Sequence, residues 1–421
     1  MLEPKVRFKR DDGNSYSQWE EVALGDIATR ITRKNSNGET DRPLTIASIE
    51  GLVDQRNYFG KTVASKDMTG YFLLKNGEYA YNKSYSAGFD YGSIKRLDKY
   101  DMGALSTLYI CFALNNDQNS DFYNCYFNGL SWYNQMGEIC AEGARNHGLL
   151  NVSATDFFKI RLSVPTSAEE QQKIADFLSS VDEVIDLREQ EVTNLETQKK
   201  AVMKKIFSQE VRFKREDGSD FPEWEEKTTN DVLQTITDYV AAGSFADIAQ
   251  NVQYQTEGYA QLVRTVDLKN KFTSKEEIFV SESAFNYLWR VNLDKECIVM
   301  PNVGNCGEIY YVTPDMLPYD HNVLGPNAIV VRSETVSNRF IAYLMESDSF
   351  QEQLKLIVSP SGQTKFNKTE FKRLFLQIPT DEEQRLIANF LSDLDEAISA
   401  AKKELDLWKE LKKGLLQQMF V

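Results

Sequence analysis

The sequence predicts an α+β protein: two mixed α/β globules joined by two long antiparallel coiled-coil helices, in a circular pseudo-twofold repeat. Three observations carry that expectation. A helical stretch from Glu170 to Phe207 recurs 213 positions later, with Gln171, Ile174, Ala175, Phe177 and Leu178 returning as Gln384, Ile387, Ala388, Phe390 and Leu391. A short element, Val6-Arg7-Phe8-Lys9-Arg10 followed by Trp19, returns at an offset of 205 as Val211-Arg212-Phe213-Lys214-Arg215 followed by Trp224. Between these repeats lie two stretches, 22–166 and 227–380, in which short apolar runs alternate with turn residues, as strands in a globule do.

In chain order, residues 1–21 form a framework repeat in which Phe8 and Trp19 are expected to anchor a loop to a core. In the first globule, 22–166, strands are expected at Leu44–Ile49, Glu78–Asn82, Gly92–Leu97, Leu108–Leu114 and Phe158–Val164. Asp121–Glu142, apolar and aromatic with little Gly or Pro, predicts one helix. A polar loop bounded by Gly143 and Gly148 follows it.

Segment 167–210 carries the first long helix. Its apolar seam, Ile174, Leu178, Val181, Ile185, Val192, Leu195, Val202 and Ile206, keeps a heptad spacing. A seam sustained for about five heptads argues for a coiled coil rather than an ordinary surface helix. At 1.5 Å per residue the helix would be roughly 55 Å long. Residues 211–226 repeat the framework element, and 227–380 form the second globule. The last segment, 381–421, repeats the helix with the seam Ile387, Leu391, Leu394, Ile398, Leu405, Trp408, Leu415 and Met419. Lys199 and Lys412 interrupt the two seams at the same place, as register-setting polar positions do. Each globule ends alike: Lys159–Pro165 corresponds to Arg373–Pro379. Elsewhere the globules are dissimilar, apart from a strand ending at Asn82 and Asn302 respectively.

A chain of 421 residues suits two or three domains. Its five cysteines are an odd set without Cys-x-x-Cys spacing, which argues against a disulfide framework or zinc ribbon and for a reducing cytoplasm. No signal core opens the sequence and no apolar run approaches the ~20 residues that span a bilayer, so a soluble, cytoplasmic protein is expected. The formal charge of -15 opposes nucleic-acid binding, but its distribution softens the objection. Residues 167–210 hold ten acids against six bases, and 381–421 nine against six, whereas 22–166 is balanced at fifteen each.

Catalytic patterns are missing. There is no P-loop, no Gly-x-Gly-x-x-Gly turn and no Asn-Pro-Pro-aromatic or Asp-Pro-Pro-Tyr tetrapeptide, and His147 and His321 are the only histidines. Cys306 lies between Asn305 and Gly307 with no basic partner at interpretable spacing, so a structural thiol is expected there. The chain is expected to be no enzyme, with no metal and no cofactor of its own.

Two divergent globules, each closed by Pro-Thr and, after two or three residues, Glu-Gln, and by an Ile-Ala-x-Phe-Leu-Ser-x-[Val/Leu]-Asp-Glu helix, resemble the specificity subunit of type I restriction-modification systems. The ends of the two helices, Lys199–Phe207 and Lys412–Phe420, are similar to that family's. The resemblance implies that each globule reads one half of a bipartite, asymmetric site in double-stranded DNA. It implies further that the helix pair sets the gap and docks two methyltransferase (modification) subunits, and that restriction/translocase subunits join them. S-adenosylmethionine, ATP and Mg²⁺ would then belong to the partner subunits. Candidate DNA contacts are polar residues on the glycine-bounded loops: Arg145, Asn146 and His147 in the first globule, and Gln363, Thr364 and Lys365 in the matching place of the second. Arg to guanine and Asn or Gln to adenine are the usual bidentate pairings. Lys83 with Tyr85, and Asn302 with Asn305, are second-rank candidates. The rival expectation is a non-catalytic protein-interaction scaffold with two ligand-binding globules.

Overall fold

A computed structural model describes residues 3–61, 63–86, 88–140, 150–273, 276–359 and 364–420. The chain divides into two compact units, residues 1–190 with 402–421, and residues 191–401. Each boundary falls within the two long helices, Ala168–Phe207 and Asp381–Met419, so each unit holds part of both.

In unit 1 a four-stranded sheet runs in the order Ala28–Arg30, Ile110–Leu114, Tyr79–Asn82, Ser93–Arg96. It separates two cores by the period-two alternation of strands. Tyr79, Tyr81 and Phe112 face the helices and pack with Phe122, Phe127, Trp132 and Phe157. Ala80 and Cys111 face the other way, onto a second sheet that contains Leu44, Ile46, Phe72 and Leu105. Strands buried on both faces are apolar throughout, so they read as short apolar runs rather than as alternating ones.

Unit 2 repeats this topology. Its four-stranded sheet has the order Thr235–Asp238, Ala328–Arg332, Cys297–Pro301, Tyr310–Val312. Ile298, Met300, Ile329 and Val331 face one core, while Cys297, Val299, Ala328 and Val330 face the other. In both units the second sheet contains a parallel pair, Pro43–Ala47 with Met102–Leu105 and Ala260–Val263 with Asn322–Leu324. Both close with an antiparallel pair that leads into a long helix, Glu20–Ala23 with Arg161–Val164 and Glu225–Thr228 with Phe375–Ile378. The globules that diverge in sequence thus share one fold.

The helix expected over Asp121–Glu142 is corrected to two, Ser120–Asn128 and Tyr133–Cys140. The break is at Gly129, whose extended backbone follows the helix and whose carbonyl accepts from the Trp132 indole at 3.0 Å. A Cβ on Gly129 would stand 3.1 Å from the Tyr126 carbonyl and 3.4 Å from the Phe420 ring, so the bend has little room for a side chain. Unit 2 has the same pair, Asn338–Glu346 and Asp348–Ile357, with Ser347 between them capping the second at Phe350 N.

The helix pair is antiparallel within each unit. In unit 1 Asp182 meets Lys412, and Arg188 meets Glu404 at 2.8 Å, so rising numbers on one helix face falling numbers on the other. In unit 2 Lys199 meets Asp395 at 2.7 Å, while Met203 and Ile206 share a core with Ile387 and Leu391. The seam is buried at Ile174, Leu178, Val181, Ile185, Val192 and Ile206, and at Ile387, Leu391, Ile398, Leu405 and Met419. Leu195, Val202, Leu394, Trp408 and Leu415 are half-buried.

The framework repeat turns out to be a strap tied to the start of each helix. Glu170, with no exposed side-chain surface, accepts from Arg7 Nε at 2.7 Å, Arg7 Nη2 at 3.0 Å and Trp19 Nε1 at 3.3 Å. Glu383 accepts in the same way from Arg212 at 3.1 and 2.8 Å and from Trp224 at 3.1 Å. Each carboxylate sits in the first turn of its helix, where the macrodipole favours negative charge. Phe8 meets Phe177 edge-on at 5.6 Å, and Phe213 meets Phe390 at 5.8 Å. In unit 1 the strap follows the second helix, Val6 N donating to Gln418 O; in unit 2 it follows the first, Val211 N donating to Lys205 O. Unit 1 is therefore a circular permutation of unit 2.

Candidate nucleic-acid interface

The sheet of each unit delivers one strand to a polar tip. In unit 1, Tyr79–Asn82 runs out to Lys83, whose carbonyl accepts from Leu150 N at 2.8 Å. Asn82 Oδ1 caps this turn by accepting from Ser84 N, and Tyr85 stands 55% exposed just beyond. Lys83 is thereby tied to Leu150, the first described residue after Arg145, Asn146 and His147 in the sequence. Those three residues lie outside the described ones.

Unit 2 builds the same tip from different residues. Cys297–Pro301 runs out to Asn302, whose carbonyl accepts from Phe366 N at 3.1 Å. Val303 bridges to Lys365, and Gly304 N donates to Thr364 O at 2.8 Å. Asn302, Asn305, Thr364 and Lys365, which lie about sixty residues apart in sequence, are thus collected at one place; Gln363 lies outside the described residues. Gly304 has φ +87, the left-handed region that favours glycine, and this lets the tip fold back.

These side chains do not all have the same freedom. Thr364 Oγ1 donates to the Gly304 carbonyl, so its hydroxyl proton is spent on holding the loop. Asn305 Nδ2 donates to Glu308 at 3.3 Å, and Glu308 is also paired with Lys269. Lys365 is exposed. Asn302 Oδ1 is buried and finds no hydrogen-bond partner among the described residues. Cys306 Sγ points at Thr364 O, 3.7 Å away, and burial raises its thiol pKa, the opposite of what a nucleophile needs. Among the described residues no group of three or more His, Cys, Asp or Glu is placed to hold a metal ion. No helix among them is long and apolar enough to cross a membrane.

At the helix pair, the two seam lysines are held in matching ways. Lys199 bonds Asp395 at 2.7 Å and lies 5.1 Å over the Tyr343 ring, while the Tyr343 hydroxyl donates to Asp395 Oδ2 at 2.8 Å. Glu346 completes the group, its carboxyl pKa raised by burial. In unit 1 Lys412 takes the place of Lys199 and Asp182 that of Asp395. At the end of the adjoining helix stands Asn128, which accepts from a half-buried Lys95 at 2.6 Å. Burial, and then the charge of Lys412, hold the Lys95 ammonium down to about 8.

The model of the type I restriction modification DNA specificity domain matches this chain twice, over residues 16–197 and 222–407. The chain belongs to that family. Each match covers a Trp of the strap, a whole globule and most of a long helix, the unit that the internal repeat had marked out. A specificity-domain relative, the MjaVIII type I restriction enzyme specificity subunit of Methanocaldococcus jannaschii, is 22% identical over 418 residues, covering 94% of this chain and 91% of that one. A second protein of that organism, described as a MjaX specificity subunit, is 24% identical over 225 residues. The chain spans about half of that relative's length, 49%. The fold is shared with the type I restriction-modification S subunit from M. genitalium, at a TM-score of 0.53 and 14% identity over 100% of this chain and 99% of that one. It is also shared with a chain from a structure concerned with the assembly and conformational transition of the type I system, at a TM-score of 0.57 and 15% identity over 96% and 97%.

What the sequence could not give in this specificity-domain chain is the pairing. The straps' arginines bond glutamates more than 160 residues away, and the tip residues of unit 2 come from two separate loops.

Proposed function

We propose that this chain is the DNA-sequence-specificity subunit of a type I restriction-modification complex. Unit 1 reads one half of a bipartite, asymmetric site and unit 2 the other. The observation that carries the reading is the pair of tips. One fold presents Lys83 and Tyr85 in unit 1 but Asn302, Asn305, Thr364 and Lys365 in unit 2. Equal scaffolds with unequal polar tips are what two readers of unequal half-sites require, since phosphate contacts position a protein and base-edge contacts specify the sequence.

The helix pair serves as the spacer. A helix of 40 residues is about 60 Å long, the axial length of roughly 18 base pairs at 3.4 Å each. The outer faces of the helices, acidic and away from the seam, suit two methyltransferase subunits rather than phosphate. Leu187 and Leu407, 63% and 70% exposed, give those faces apolar contact points. The chain itself performs no reaction. Transfer of a methyl group from S-adenosylmethionine and ATP-driven restriction with Mg²⁺ belong to the partner subunits, inside a cytoplasmic complex.

Single-molecule methylation sequencing of the host tests the proposal. A bipartite motif with a fixed gap, lost when this gene is deleted, supports it. An unchanged methylome, or capture of a protein ligand by both units with no affinity for DNA, favours an interaction scaffold instead.

A further inference from the structure

Beside the tip of unit 2 opens a cleft of about 780 Å³. It lies at one end of the sheet, where Asp238 closes one strand, Ala328 opens another and Asn302 follows a third, and the helix Phe245–Asn251 forms its outer wall. Three features set it apart from an ordinary surface hollow. Two of its three aromatic side chains are presented rather than packed: Phe245 is 82% exposed and Tyr254 52% exposed, while Tyr239 is buried in the wall, and the backbone of Phe245 is fixed by the capping box of Ser244 and Asp247. Its polar lining includes Asn302, whose main chain is tied on both sides, to Asn327 O and Phe366 N, while its side-chain oxygen is left without a partner among the described residues. Its rim is continuous with the tip, because Val303 lines the cleft and bridges to the exposed Lys365, and Asp238 in the lining is paired at 2.7 Å with Lys368.

We infer that this cleft receives one nucleobase, turned out of the duplex, from the half-site that unit 2 reads. Aromatic faces stack any base, and an amide pairs with the edge that a base exposes once its partner strand has been left. A cleft of this volume is of the size that encloses small ligands. The neighbouring lysine suits the phosphate backbone that must enter with the base. Phe245, standing at the mouth, is placed to fill the gap that the base leaves, as apolar wedges do at unstacked steps. The inference rests on the proposed DNA-reading role of unit 2 and adds to it a means of reading that does not depend on groove contacts.

The test uses the full chain in its DNA-binding complex and duplexes carrying the motif found by methylation sequencing. Each base of the second half-site is replaced in turn by an abasic residue or by 2-aminopurine. An extruded base costs unstacking, so removing its pairing partner should tighten binding about tenfold at one position, and 2-aminopurine there should brighten on binding. Phe245→Ala and Asn302→Ala should each abolish that brightening and weaken binding about tenfold, the size of one lost base contact. Phe245 is so exposed that its replacement leaves the fold intact, and circular dichroism checks this. A base extruded for methylation would give the same signal but keep it in both variants. If no position brightens except the methylated base, or if the signal survives both variants, the inference is overturned while the DNA-reading role stands. If the complex does not bind the motif duplex at all, both fall.

Discussion

Glu383→Ala is the sharpest test of how the strap holds unit 2. The carboxylate is fully buried and accepts three hydrogen bonds, two from Arg212 and one from the Trp224 indole. Removing one member of a buried ion pair costs about 3–5 kcal/mol, because the partner is left charged and unpaired. Arg212 keeps 19% of its side chain exposed and can turn to water, which places the expected loss at the lower end, about 3 kcal/mol. For a unit of this size about 1 kcal/mol corresponds to ~2–4 °C, so the transition of unit 2 should fall by about 6–12 °C. Glu383→Gln keeps the shape and some of the bonding and should lose about half as much. Thermal melting gives the size of the effect, and amide hydrogen exchange gives its place. Protection should drop in the strand pair Glu225–Thr228 with Phe375–Ile378 and hold in Glu20–Ala23 with Arg161–Val164. A loss below ~0.5 kcal/mol, or an equal loss of protection in both pairs, would refute the reasoning.

Three further outcomes follow from the same geometry. Lys199→Glu sets a third acid against Asp395 and Glu346 and should cost about 2 kcal/mol, with partial recovery in the Lys199→Glu, Asp395→Lys double variant; chemical denaturation measures both. Lys365→Ala should weaken DNA binding similarly for specific and unrelated duplexes and reduce the slope of log affinity against log salt by about 1, as the loss of one phosphate contact does. Lys95 gives unit 1 a rise in stability with pH. Between its folded value of about 8 and the ordinary lysine value, the unfolded chain binds the additional proton, so unfolding becomes harder as pH rises through that window. The total is up to about 3 kcal/mol, and below pH 8 both states carry the proton and the penalty is constant. Denaturation of Lys95→Met from pH 7 to 10 should lack this rise.

The helices were legible because a heptad seam is a local, periodic signal that survives over forty residues, and the straps because they repeat almost letter for letter. The bond from each strap to Glu170 or Glu383 was not, since nothing in the spacing of Arg7 or Arg212 points to a carboxylate so far along the chain. The shared topology of the globules was hidden for a different reason. Sheet strands buried on both faces require only apolar bulk, and Ile110-Cys111-Phe112 and Ile329-Val330-Val331 meet that requirement with different residues. The single helix expected over Asp121–Glu142 failed at Gly129, a poor helix former whose extended backbone ends the first helix, a break that the apolar run around it had masked. Among the candidate contacts, the structure brings Lys83 and Tyr85 to one tip and Asn302, Asn305, Thr364 and Lys365 to the other, and it shows Thr364 holding the loop. The cleft lined by Tyr239, Phe245 and Tyr254 carried no sequence signal, because its walls come from four separate segments.

The central claim, one half-site per unit on a common spacer, is tested most directly by exchanging residues 22–166 for the matching stretch of a relative with a different methylation motif. The account predicts that sequencing the host's methylated bases will show one half of the motif replaced, with the other half and the gap unchanged. A change in both halves, or in the gap, would contradict it.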